Sequence, residues 1–374
     1  MKPALLLAPV VFALAVAHGG TFAADQPPML ALGSAAPDFK LPGVDGRTYA
    51  LKDFEKSPLL VVIFTCNHCP TAQAYEDRIK AIMNDYKDKG VALVAISPND
   101  PKSVRLDELG YTDLSDSFEE MKVRAKDRSY NFPYLYDGDT ETASKKYGPV
   151  ATPHAFVFDQ GRKLRYAGRI DDSERPRLAR TRDLRDAIDA VLAGKEPPVA
   201  QTKVFGCSIK WAGKEESVKQ YMAKLAAEPV EIKSVDAATL SALRKNDSGK
   251  VRLINFWATW CGPCVTEFPD LVEINRMYRH RNFELVTVSV NFPDEKEEAL
   301  EFLTKKQASG TNYLFGSENK YKLMEAFDKE WSGAVPFSIL LAPGGKVLYR
   351  EEGAIDPVAV KRAIVKSLKE DRLK

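Results

Sequence analysis

Residues 251–264, VRLINFWATWCGPC, decide the fold. The run 251–258 is apolar, rich in branched and aromatic side chains and of strand length, which fits a buried central strand. Cys261 and Cys264 follow in a C-x-x-C pair, and a helical stretch extends to about residue 279. Residues 59–69, LLVVIFTCNHC, repeat the plan: strand 59–65, then Cys66 and Cys69, then a helix to about residue 89.

Working outward, the parallel continues along both copies. VALVAIS (91–97) answers to FELVTVSV (283–290) as the next strand, and polar helical stretches follow at 115–129 and 295–306. Thr152-Pro153 and Val335-Pro336 come next, each ahead of a strand, a glycine turn and a second strand. Leu184, Ala187, Ile188, Val191 and Leu192 close the first copy at helical spacing, and Val360, Ala363, Ile364, Ser367 and Leu368 close the second. This order predicts an α/β protein of two tandem domains, each a central mixed β-sheet flanked by helices. Pro153 lies 87 residues after Cys66 but Pro336 only 75 after Cys261, and the surplus is expected as loop within 99–112.

The expected division is a signal peptide at 1–24, a first domain at 28–196, a linker at 197–235 and a second domain at 236–374. Lys2, the uncharged run 4–17, and small Thr21 and Ala23 before a cleavage point have the order of a secretory signal. The uncharged run would rise only ~21 Å as a helix, short of a ~30 Å hydrocarbon core. The expectation is a periplasmic or secreted protein in an oxidising compartment. Across the start of the linker, 195–202 is proline-rich, while 215–226 reads as a helix with Val218, Tyr221, Met222 and Leu225 on one face. Such a helix suggests domains held together. Lys plus Arg number 54 against 52 for Asp plus Glu, which removes the electrostatic reason to expect nucleic acid as a partner. A hydrophobic fraction of 44% with 28% charged residues fits neither wholesale disorder nor an integral membrane protein.

Five cysteines are too few for a disulfide scaffold, and four of them stand in the two C-x-x-C pairs. At a helix start, unpartnered backbone N–H groups stabilise a thiolate. The spacing lets the second sulfur turn back on a mixed disulfide formed at the first. Cys261 and Cys66 are therefore expected at helix starts, reachable from solvent, as attacking thiols, with Cys264 and Cys69 resolving. His68 beside Cys66 would stabilise the reduced form of that couple. Cys66, His68 and Cys69 are a weaker alternative as metal ligands; no metal or other cofactor is otherwise called for. Pro153 and Pro336 read as cis prolines that leave the preceding backbone free to pair with an extended substrate, or else as ordinary edge prolines. Glu267, one turn beyond Cys264, reads as the acid that moves the resolving thiol's proton, or as a surface carboxylate. Trp257 and Trp260 read as an apolar rim, with core packing the alternative for Trp257. Cys207, in GCSIKW (206–211), is open between a buried thiol, a partner for Cys66, a relay and an intermolecular link.

NFWATWCGPC, the following EFP and the VP before the last hairpin resemble the TlpA/ResA-type branch of the thioredoxin family. CNHCP, TPH and GRIDDS resemble a redoxin-domain group over about 30–194. The resemblance implies a thioredoxin fold with nucleophilic Cys261 and cis Pro336 and, by the repeat, Cys66 and Pro153. It also implies protein disulfide substrates, in cytochrome c or copper-site assembly, and a membrane thiol-transfer protein as electron donor. Two departures stand out. Asn255 and Leu60 occupy the place of the buried aspartate of ordinary thioredoxins, which raises interest in Glu267, where this branch carries its acid. The peroxiredoxin pattern Pro-x-x-x-Thr-x-x-Cys is missing, since Thr65 directly precedes Cys66, so a thiol peroxidase is a weaker alternative. A copper- or apoprotein-binding assembly factor of little turnover is the other.

Overall fold

The computed structural model describes residues 26–373. The expected signal peptide at 1–24 lies outside the described residues. Among these, no helix is long and apolar enough to cross a membrane.

The first domain opens with a small hairpin, β1 (Lys40–Pro42) and β2 (Thr48–Ala50). Its sheet then takes β3 (Leu59–Phe64), β4 (Val91–Ser97), β5 (Tyr134–Tyr136), β6 (His154–Phe158) and β7 (Leu164–Gly168) in the order β5-β4-β3-β6-β7. β3 pairs parallel with β4 and antiparallel with β6, so the sheet is mixed as the sequence order predicts. Every residue of β3 is buried because successive side chains face opposite layers, each with its own core. Leu59, Val61 and Ile63 pack with Ile79 and Leu184 on one face; Leu60, Val62 and Phe64 pack with Tyr147 and Phe156 on the other. The helices are α1 (Pro70–Tyr86), α2 (Phe118–Asp127), α3 (Ser144–Tyr147) and α4 (Asp183–Leu192).

After α5 (Glu215–Ala226), the second domain builds a six-stranded sheet. It uses β8 (Lys233–Val235), α6 (Ala237–Lys245), β9 (Val251–Trp257), α7 (Gly262–Tyr278), β10 (Phe283–Ser289), α8 (Lys296–Lys305), β11 (Thr311–Phe315), α9 (Lys320–Phe327), β12 (Phe337–Leu341), β13 (Val347–Glu352) and α10 (Pro357–Leu373). The strand order is β13-β12-β9-β10-β11-β8. β5 and β8, three residues each, are too short to carry a period, and β11 (TNYLF) has neither a continuous apolar run nor a clean alternation, so all three escape the sequence reading.

Two connecting regions differ from expectation. The surplus at 99–112 is not simple loop: it folds into short turns, and its Val104 and Leu109 belong to the second domain's core. Tyr278 Oη, on α7, donates to the Thr112 carbonyl at 2.6 Å, and Arg281 lies 3.9 Å from the Tyr111 ring centre. The insertion is thus one place where the domains meet; Arg362 and Lys369 of the last helix reach Asp127 and Gln73 as another. The stretch expected as linker is shorter than 197–235, since its start is strapped to the first domain. Gln201 bridges to Ala167 and Cys207 to Thr152, while Lys233–Val235 already pairs with β11.

Candidate functional site

In the second domain, β9 ends and α7 begins with Cys261 at the N-cap. Cys264 N–H points at Cys261 Sγ from 3.3 Å, the arrangement in which a helix start favours negative charge on sulfur. Cys261 and Cys264 are joined as a disulfide. The carbonyl oxygen of Val335 lies 3.5 Å from Cys261 Sγ, and the Val335-Pro336 bond is cis. Cys261 is only 5% exposed, so an openly solvent-facing sulfur is not what forms, but Gly262 and Pro263 beside it are exposed and Trp260 is 62% exposed. Trp260 is thus open to solvent beside the dithiol. Trp257 is fully buried, stacked on Phe302 with ring centres 4.7 Å apart, so core packing is what forms there.

Glu267, three residues beyond Cys264 on α7, is buried rather than on the surface. Its Oε1 accepts from Asn255 Nδ2 at 2.9 Å and its Oε2 from Ile355 N–H at 2.8 Å. Burial raises its pKa above the usual carboxylate range, although both hydrogen bonds pull downward. Asn255, in the place of the missing aspartate, thus holds an acid contributed by the helix. Its other contact from Nδ2 is Ser338 Oγ, at 2.9 Å.

The first dithiol is built differently, and the expected helix-start position of Cys66 is corrected. Pro70 stands at the first helical position of α1, so the N-cap is Cys69. Proline is favoured there because its missing N–H would have no partner. Residues 66–68 are held outside the helix by Asp116, whose Oδ1 accepts from Asn67 N–H at 2.8 Å and His68 N–H at 3.1 Å. The Pro70 signal was present in the sequence; Asp116, far away in the chain, carried none.

The electrostatics follow that geometry. Burial opposes a charge on Cys69, but hydrogen bonds from the Cys207 and Cys66 thiols and from Ala72 and Cys207 N–H outweigh it and hold its pKa low. The Thr152 carbonyl, 3.3 Å from Cys69 Sγ, favours the thiol but is outnumbered. Burial and the neighbouring Cys69 raise Cys66 instead. His68 also departs from expectation. Its Nδ1 lies 2.5 Å from Asp116 Oδ2 and 3.6 Å from Cys66 Sγ. Burial opposes its charge, yet Asp116 raises its pKa, so the imidazolium is spent on the aspartate. Asp116 raises Cys66 as well, which offsets any help His68 could give it.

Cys66, Asn67, His68 and Cys69 are all buried, in contrast to the exposed Gly262 and Pro263. Thr152-Pro153 is cis, with Thr152 Oγ1 3.2 Å from Cys66 Sγ. Cys207 neighbours Cys69, not Cys66, with its N–H donating to Cys69 Sγ at 3.4 Å. As for metal ligands, Cys66, His68 and Asp116 come within 4.8 Å of one another, a set that takes Asp116 in place of the expected Cys69. A cleft of about 780 Å³ between the domains reaches Pro70 and Gln73, but no cysteine lines it.

Mixed sheets with helices on both faces, each bearing a cysteine pair beside a cis-proline loop, define a tandem thioredoxin-fold protein. The chain belongs to the thioredoxin superfamily: residues 32–167 match the AhpC/TSA family and residues 231–365 the Redoxin family. Among curated relatives, it is 29% identical to the thiol:disulfide interchange protein HelX of Rhodobacter capsulatus, over 31% of this chain and 60% of HelX. It is 30% identical to the thiol-disulfide oxidoreductase ResA of Bacillus subtilis (27% of this chain, 51% of ResA). It is 32% identical to the thiol:disulfide interchange protein CycY of Rhizobium leguminosarum bv. viciae (35% of this chain, 66% of CycY). The chain thus spans between half and two thirds of each of these relatives. A solved hypothetical protein of Sinorhizobium meliloti 1021 is 36% identical over 50% of this chain and 98% of that one, with a TM-score of 0.44.

Proposed function

We propose that this chain is an extracytoplasmic protein thiol–disulfide oxidoreductase whose working couple is Cys261 and Cys264. The observation that carries the reading is Cys261 at the start of α7, its sulfur facing the Cys264 N–H, beside the Val335 carbonyl and the exposed Trp260. In the reductive direction, the Cys261 thiolate attacks a substrate disulfide, forming one S–S bond and releasing one substrate thiolate. Cys264 loses its proton and attacks Cys261 Sγ. The second substrate thiolate leaves, and the Cys261–Cys264 disulfide remains. Glu267 takes the proton from Cys264, directly or through water, and a dithiol donor resets the couple.

The export-like sequence of residues 1–24 supports a periplasmic or secreted setting. The TlpA/ResA resemblance extends the proposal to disulfides met in cytochrome c or copper-site assembly, with a membrane thiol-transfer protein as donor. Cys66 and Cys69 form a second couple in which Cys69, at its helix N-cap, is the ionised sulfur. A peroxidase would require a reactive thiolate at Cys66, and burial with the Asp116 charge opposes it. A copper-binding assembly factor is favoured only by the Cys66–His68–Asp116 grouping. Stoichiometric Cu(I) binding by the reduced protein, lost on Cys66→Ser, would support that reading instead.

The test is reduction of a protein disulfide by the full chain. Cys261→Ser should abolish rapid exchange by this couple, while Cys264→Ser should accumulate a mixed disulfide through Cys261. Turnover by both variants equal to the parent's would refute the assignment.

A further inference from the structure

The segment containing Cys207 is built onto the first dithiol rather than passing near it. Thr152 N–H donates to the Cys207 carbonyl at 3.0 Å, and the two residues form an antiparallel bridge. This is the backbone edge that an extended substrate would use beside the dithiol. Gly206 makes the approach feasible: a Cβ there would stand 1.9 Å from the Thr152 carbonyl oxygen. Downstream, Lys210 N–H donates to Asn99 Oδ1 at 2.9 Å, its carbonyl accepts from Asp100 N–H at 2.9 Å, and its Nζ meets Glu108 at 2.5 Å. Ala212 N–H donates to Glu141 at 2.6 Å, and Ile209 and Trp211 are buried. The strap is therefore anchored on both sides of a cysteine that packs against the dithiol and whose N–H donates to Cys69 Sγ at 3.4 Å.

We propose that residues 206–208 occupy the substrate position of the first dithiol, and that Cys207 is its intramolecular thiol partner, exchanging to a Cys69–Cys207 disulfide. The proposal rests on reading the first dithiol as exchange-competent. It starts from the Cys66–Cys69 disulfide, the oxidised form that exchange with a protein disulfide supplies. Cys207 loses a proton and attacks Cys69 Sγ. The Cys69–Cys207 bond forms as Cys66–Cys69 breaks, and Cys66 leaves as a thiolate that gains a proton. One disulfide and one thiol stand on each side, so no outside oxidant enters this step. Cys207 is placed for this attack because its N–H lies 3.4 Å from Cys69 Sγ, whereas the Cys66 sulfur has Thr152 Oγ1 at 3.2 Å and His68 Nδ1 at 3.6 Å as its neighbours. The product staples the strap across the dithiol and shuts that site to outside substrates.

The full chain with Cys261 and Cys264 both replaced by serine leaves only these three cysteines to follow. It is equilibrated in a glutathione redox buffer, quenched in acid and mapped by mass spectrometry. In the further Cys66→Ser variant, Cys69–Cys207 should exceed the Cys69–glutathione adduct at least tenfold. Adding Gly206→Val should reverse that ratio, because the strap can no longer close on Thr152. Glutathione on Cys69 with Cys207 free, or both remaining thiols, would overturn the proposal. Should Cys66→Ser not fold, partial oxidation of the three-cysteine chain decides: Cys66–Cys69 and Cys69–Cys207 together support it, and Cys66–Cys69 alone refutes it. Protein-disulfide reduction by the parent chain is read alongside. Its absence while Cys69–Cys207 forms would count against the function proposed above and leave the strap intact.

Discussion

Replacing Glu267 by glutamine separates its proton-transfer role from its structural one. Both carboxylate oxygens accept hydrogen bonds, from Asn255 Nδ2 and from Ile355 N–H, and a glutamine has only one oxygen to offer. The geometry has a repair. Asn255 Oδ1 is buried without a partner, and turning that amide over presents its oxygen to both the introduced amide nitrogen and the Ser338 hydroxyl. The oxygen of the introduced side chain then serves Ile355, while the Asn255 amide nitrogen takes the place where its oxygen had no partner, so the variant should lose about 1–3 kcal/mol. Glu267→Ala has no such repair and strands two buried donors, at about 1–3 kcal/mol each. Catalysis should divide the two substitutions differently. Neither side chain can take the Cys264 proton, so both should slow resolution by roughly 10²- to 10⁴-fold, the usual scale for a positioned acid–base group. The assay is a single turnover of reduced protein with a protein disulfide, quenched in acid and followed across pH. The glutamine variant should accumulate the Cys261 mixed disulfide and lose the limb due to the raised carboxyl. Stability supplies a second readout. A raised carboxyl contributes stability fully present below its unfolded pKa and lost as pH rises through its folded one; the glutamine variant should lack that loss. An unchanged turnover rate and pH profile in a folded Glu267→Gln protein would refute the reasoning.

Burial takes His154 from 6.5 down to about 4, so the unfolded chain binds a proton across that range that the folded chain refuses. Stability should therefore fall by about 3 kcal/mol between these values, and urea melts of His154→Phe should show a shallower acid limb. His68 works in the opposite sense: raised by Asp116, its contribution is present below the ordinary histidine range and lost as pH rises through its folded pKa. Tyr278→Phe removes the bond to the Thr112 carbonyl and should lower unfolding free energy by about 1–2 kcal/mol, with the two domains' transitions separating in the melt.

Much of this protein was legible along the chain because its decisive signals are local. The continuous apolar runs at β3 and β9 could be satisfied only between two layers, and the prolines at 153 and 336 recurred at matching places. The helix starts were less secure. Cys261 and Cys69 are both N-caps, yet they are the first cysteine of one pair and the second of the other, because Pro70 opens α1 and Asp116 holds the N–H groups of Asn67 and His68. Glu267 and Trp257 could be read either way in the sequence, because burial depends on what packs over a residue and not on its identity.

The chain's own pattern determined two mixed α/β domains and a cysteine pair in each, since strand length, helical period and C-x-x-C spacing act over a few neighbours. Only the folded molecule decided which sulfur carries charge, what Asp116 does to His68, and where Cys207 lies. Those depend on groups brought from distant parts of the chain into one low-dielectric place, where a few ångströms separate an accepted hydrogen bond from an unfavourable charge.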